Sequence, residues 1–77
     1  MPTIKIIDSE KIDLYSREHP PPHFHAIYAE HEELIEIESL NTYIGRIPIA
    51  QRKKVTNWAK YNKDYLMGIF KQLNQRL

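Results

Sequence analysis

Three consecutive prolines, Pro20, Pro21 and Pro22, constrain this chain more than any other feature. Each locks φ at about −65° and removes a backbone donor, so neither a strand ladder nor a helix can run through them. Residues 17–22 must therefore be an extended connector between structure built before it and structure built after it. Both parts are short, because the chain has only 77 residues. A chain of this size hides about 60% of its unfolded surface on folding, which is enough for one modest core and close to the size where a partner or a homo-oligomer helps. The expectation is a single domain over residues 1–77, without a deep cleft between two lobes.

Upstream of the prolines, Ile12 and Leu14 alternate with Lys11, Asp13 and Tyr15, and Ile4 and Ile6 repeat the pattern more weakly. A period of two marks half-buried strands, and Asp8-Ser9-Glu10 between them reads as a hairpin turn. Downstream, residues 23–29 and 32–39 form a second strand pair about a turn at Glu30-His31. From Pro48 the period changes. Val55, Trp58, Ala59, Leu66, Ile69, Phe70, Leu73 and Leu77 recur at helical spacing, with Pro48 suited to the first helical position. Asn62 interrupts that stripe as a cap would, so the segment is either two helices meeting there or one bent helix. About four antiparallel strands in two hairpins, covered on one face by the helical segment, make a small two-layer α+β sandwich. Trp58 is expected to be buried against the sheet.

Charge divides the chain in the same place. Residues 1–47 carry four basic and nine acidic side chains, a net of −5, whereas residues 48–77 carry seven basic and one acidic, a net of +6. Arg52, Lys53 and Lys54 stand together near the helix start, and with Arg46 they are the candidates for contact with a partner or with nucleic acid. The overall pI of about 8.0 is below the value above 9 typical of dedicated nucleic-acid binders. With no cysteine there is no disulfide framework, thiolate zinc site or cysteine nucleophile. No apolar run approaches the roughly 20 residues of a membrane helix, and residues 1–10 lack the features of a secretory signal, so a soluble cytoplasmic protein is expected.

All four histidines fall between positions 19 and 31. His23 and His25 are two apart on a strand and so share a face, with Phe24 on the other. A turn at Glu30-His31 sets Phe24 against Ile37 and Ala26 against Ile35, and on the opposite face His25 against Glu36 and His23 against Glu38. Side chains directly opposite are about 4.5–5.5 Å apart at Cβ, close enough for His23, His25, Glu36 and Glu38 to share a proton network. The same patch, with His19 on the connector beside His23, His25 and Glu36, has the ligand types of a divalent transition-metal site.

Several of these segments also carry a resemblance. Met1-Pro2-Thr3-Ile4, the run His19-Pro20-Pro21-Pro22-His23-Phe24-His25, Leu34-Ile35-Glu36-Ile37-Glu38, and Gly45-Arg46-Ile47-Pro48 ahead of a basic helix with Trp58-Ala59 are similar to the small bacterial domain-of-unknown-function family 4160. Pro20 stands where that family usually has Asn, and Glu30-His31 where it usually has two glycines. The resemblance implies a small bacterial protein encoded beside another small protein in a toxin-antitoxin-like pair.

Two functional readings follow. The first is a protein-interaction module, one half of such a pair, binding a partner protein and, through the basic helix, nucleic acid. The second is a small metal-dependent or acid-base enzyme, nuclease-like, working through the His/Glu patch. The sequence has no Gly-rich phosphate loop and no His-Glu-x-x-His to support a specific catalytic class.

Overall fold

The structure, a computed structural model, describes residues 3–74, so Leu77 of the expected helical stripe lies outside the described residues. Five strands precede two helices: β1 (Thr3–Ile7), β2 (Glu10–Asp13), β3 (His23–Tyr28), β4 (His31–Glu36), β5 (Thr42–Arg46), α1 (Ile49–Lys60) and α2 (Lys63–Leu73). The strands form one antiparallel sheet in chain order, β1-β2-β3-β4-β5. Val55 and Ala59 of α1 and Leu66 and Phe70 of α2 close over one face of it, and the core between the layers holds Ile12, Leu14, Phe24, Ala26, Ile35, Ile37 and Ile47. This is the expected α+β arrangement with one strand more.

β5 escapes the sequence reading for a local reason. Register shifts between Leu34 and Ile35, so the strand does not alternate cleanly, and all five of its residues are exposed at the sheet edge. Gly45 within it has φ +84°, and a Cβ there would lie 2.3 Å from the Glu32 carbonyl oxygen, so only glycine lets β5 approach β4 this closely.

The β3–β4 hairpin differs from expectation in its turn. Ala29 and Glu30 form it, with Ala29 at φ +53°, and Tyr28 pairs with His31. Pairing is thereby displaced by two residues: Phe24 faces Ile35, His23 faces Glu36, His25 faces Leu34, and Ala26 faces Glu33. A displacement of two preserves side-chain parity, so His23, His25 and Glu36 still share the face away from Phe24, Ala26 and Ile35. The expected His25–Glu36 and His23–Glu38 pairs do not form. Glu38 lies beyond the end of β4 and is exposed.

The helical segment is two helices. Pro48 is the residue before α1, and its carbonyl accepts from the Arg52 amide at 2.9 Å. Asn62 separates the helices but serves the first of them, its side-chain amide donating to the Trp58 carbonyl at 2.8 Å. Trp58 is half-buried, edge-on to Tyr65 with ring centroids 6.4 Å apart, while Leu66 and Phe70 fill the centre expected for it. No helix among the described residues is long and apolar enough to cross a membrane.

Candidate metal centre

The uncovered face of the sheet can be read row by row from the pairing. One row runs Ile6, Lys11, Ile27, Glu32, Arg46; the next runs Asp13, His25, Leu34, Ile44; His23 and Glu36 begin a third. The connector after β2 folds over the His end of this face, bringing Tyr15 edge-on to His25 with ring centroids 4.6 Å apart. The connector is bent instead of extended, with Arg17 at φ +62°, and the bend delivers Glu18 to the two histidines.

Glu18 Oε1 is 2.5 Å from His25 Nε2 and 3.3 Å from His23 Nε2. The other nitrogen of each ring is already engaged. His23 Nδ1 lies 2.8 Å from the Pro21 carbonyl oxygen, which can only accept, so Nδ1 carries the proton and the neutral ring presents an Nε2 lone pair toward Glu18. His25 Nδ1 lies 2.7 Å from Glu32 Oε2 and donates to it. Each nitrogen of the His25 ring thus faces a carboxylate, Nδ1 that of Glu32 and Nε2 that of Glu18. His23 is 3% exposed, and its Nε2 has no hydrogen-bond partner. The Glu18 oxygen at 3.3 Å is near but not aligned for one, so a buried ring nitrogen points at this spot unsatisfied.

Burial pushes the Glu18 carboxyl up, but the hydrogen bond from His25, and the positive charge that either ring adds when it is protonated, outweigh it and hold the group below the ordinary carboxylate range. Beside the cluster, Asp13 accepts from the Thr3 hydroxyl at 2.8 Å and the Tyr15 hydroxyl at 3.2 Å. Burial, then the bond to Asp13, raises the Tyr15 pKa.

Of the residues expected to form the patch, the structure brings together His23 and His25. Glu36 flanks them and is held by the Ser39 hydroxyl at 3.0 Å, while His19 and Glu38 are exposed outside the cluster. Glu18 and Glu32 were not anticipated. Glu18 lies in the connector, where no strand or helix period assigns it a direction; its sole signal is a carboxylate five positions before His23 on a proline-constrained segment.

The basic candidates separate in the structure. Arg52 turns inward: its Nε donates to Glu33 Oε2 at 2.9 Å, and its Nη2 donates to the Leu40 carbonyl at 2.9 Å. Glu33, 1% exposed, also accepts from the Thr42 hydroxyl and from the Ile47 amide at 3.1 Å. Lys54 pairs with Asp8 at 3.0 Å, and that bond raises its pKa. Lys53 is exposed on α1, and Arg46 is exposed at the end of β5 opposite Glu32.

The family described as Domain of unknown function (DUF4160) matches residues 11–70, which include every member of the cluster. The chain belongs to this family. No curated protein and no solved structure matches it.

Glu18, His23 and His25 offer one donor atom each, all within 4.8 Å of one another. Metal–nitrogen and metal–oxygen bonds of about 2.0–2.2 Å place tetrahedral ligands about 3.3 Å apart, the separation seen between His23 and Glu18. The closer His25–Glu18 contact is a proton-bridged one and would open when a cation replaces the proton. Ligating histidines nearly always donate their second nitrogen to a carboxylate or carbonyl, which sets the tautomer and aims the ring; Glu32 and Pro21 stand in those places.

Proposed function

We propose that this protein binds one divalent first-row transition metal ion through His23 Nε2, His25 Nε2 and a Glu18 carboxylate oxygen. The observation that carries this reading is the buried, unpartnered Nε2 of His23, converging with His25 Nε2 on Glu18 while both Nδ1 atoms are engaged by acceptors. Two histidines and one carboxylate leave at least one coordination position for water or substrate, the composition of an open site and not of a closed structural one. The surroundings narrow the chemistry. Glu18, Asp13, Glu32 and Glu36 crowd the two rings, a field that retains a cation and repels phosphodiesters.

Cobalt(II) or zinc titration of protein purified without a histidine tag tests the reading. One equivalent should bind, with release of protons as the metal displaces the His25–Glu18 proton. Glu18→Gln and His23→Ala should each weaken binding at least tenfold, and Glu38→Gln should leave it unchanged. A parent protein that takes up no stoichiometric metal at neutral pH refutes the proposal.

A second reading, binding of a partner protein, is favoured by a different observation. Ile44 is 57% exposed on the uncovered sheet face beside half-buried Leu34, which lies diagonal to half-buried Ile27, while Ile6, 61% exposed, stands beyond Lys11. Apolar side chains adjoining across a sheet in this way mark a surface suited to association. Pull-down with a neighbouring gene product, compared between the parent and Ile44→Lys, tests it, with loss of capture expected in the variant and equal capture by both contradicting it. The nucleic-acid reading has less support, because Arg52 and Lys54 are engaged by Glu33 and Asp8.

A further inference from the structure

We propose that Asn74, at the far end of the chain from the cluster, is a positioning residue for Glu18. The inference rests on the metal reading above and adds what holds the ligand in place. Asn74 follows the last turn of α2 and is 8% exposed. Its Oδ1 accepts from the Glu18 backbone amide at 2.8 Å, and its Nδ2 donates to the Tyr15 carbonyl at 3.2 Å and to the Phe70 carbonyl at 2.9 Å. The orientation of this side-chain amide follows from its neighbours, since a backbone N–H can face only the oxygen and two carbonyls can face only the nitrogen.

Conformation does not account for asparagine here. Asn74 has φ −127° and ψ 43°, outside the left-handed region where asparagine commonly ends helices. What the side chain does is bridge the end of α2 to a loop 56 and 59 positions earlier in sequence. Among the described residues, the hydrogen bonds that tie the backbone of residues 15–19 to the rest of the protein both end on this one amide. Glu18 is the only cluster member outside the sheet; His23 and His25 are held by the β3 ladder. Freeing its backbone would let the carboxylate leave two histidines whose positions do not change.

The test is cobalt(II) titration, read by visible absorption, of the parent, Asn74→Ala, Asn74→Asp and Leu66→Val. The last loses stability through the core without touching the loop. Asn74→Ala should bind 10- to 100-fold more weakly, the range for groups that orient metal ligands, with a changed cobalt spectrum. Asn74→Asp keeps the acceptor for the Glu18 amide and should lose less, and Leu66→Val should bind as the parent does. If the parent binds and Asn74→Ala matches it within twofold with the same spectrum, the positioning role is overturned while the metal site stands. A parent that binds no cobalt overturns the metal reading itself, and this inference with it. Should Asn74→Ala not fold, Asn74→Asp decides, because it keeps the acceptor for the Glu18 amide but loses the donor to Tyr15. A measurable loss with a shifted cobalt spectrum, smaller than the loss in Glu18→Gln, is then expected. Parent-like affinity and spectrum, or a loss as large as that of Glu18→Gln, counts against the positioning role.

Discussion

Replacing Arg52 by Gln isolates a buried charge. Glu33 sits on the core side of β4 opposite Ala26, 1% exposed, and Arg52 provides the cation that neutralises it. The substitution removes one hydrogen bond between charged groups, of about 1.5–3 kcal/mol, one to the Leu40 carbonyl, of about 0.5–1.5 kcal/mol, and a long one to the Thr42 hydroxyl at 3.4 Å. Breaking a fully buried pair costs about 3–5 kcal/mol, but Arg52 is 31% exposed and Glu33 keeps its bonds from Thr42 and Ile47, so about 2–3 kcal/mol is expected. A domain of this length has about 4–12 kcal/mol in all. Urea melts at pH 7 should show the midpoint falling with an unchanged slope, whereas Lys53→Gln, one position away and exposed, should stay within about 0.5 kcal/mol of the parent. Acid adds a second test. Burial pushes the Glu33 carboxyl up, yet the Thr42, Arg52 and Ile47 donors together hold it below its ordinary 4.5. The folded state therefore binds this proton less readily than the unfolded one. The resulting stability is present above about pH 4.5 and is lost as pH falls through the folded value. Glu33→Gln should flatten that part of the pH profile. Melts of Arg52→Gln that coincide with the parent within about 0.5 kcal/mol would falsify the assignment of Arg52 to the fold.

Other substitutions probe the sheet and the helix layer. Gly45→Ala combines a left-handed φ, worth about 1–2 kcal/mol, with a Cβ driven into the Glu32 carbonyl, so it should cost more than about 2 kcal/mol and speed amide exchange in β4 and β5; parent-like exchange contradicts the close β4–β5 approach. Trp58→Ala should cost about 2–3 kcal/mol, less than the roughly 3–5 of a central aromatic, because the ring is half-buried beside Tyr65; a larger loss in urea melts places it deeper than described. Ala29→Gly relieves a positive φ in the β3–β4 turn and should raise stability by up to about 1 kcal/mol, net of the added freedom of the unfolded chain.

The periods in the sequence were enough to establish the layers. Alternation around Ile12 and Leu14 and around Phe24 and Ala26 marked strands, and the helical spacing from Val55 to Phe70 marked the cover, because burial of one face is a local requirement repeated at every turn or pleat. Parity likewise decided that His23 and His25 share a face away from Phe24, whichever of two turns closed the hairpin. The family, too, was legible in the run from His19 to His25 and in the segments around Glu36 and Gly45. Tertiary structure decided which partners meet. A turn at Ala29-Glu30 moved Glu36 from His25 to His23, and β5 joined the sheet through a glycine and an irregular register that no alternation reveals. Arg52 belongs to buried Glu33 instead of a surface, a pairing between residues 19 positions apart. The carboxylate that meets both histidines comes from the bent connector, where side-chain direction depends on the path of the loop and on an amide at the end of α2. Periodicity determines which face a residue takes within an element; it is silent on a loop, and there only the packed chain brings Glu18 to His23 and His25.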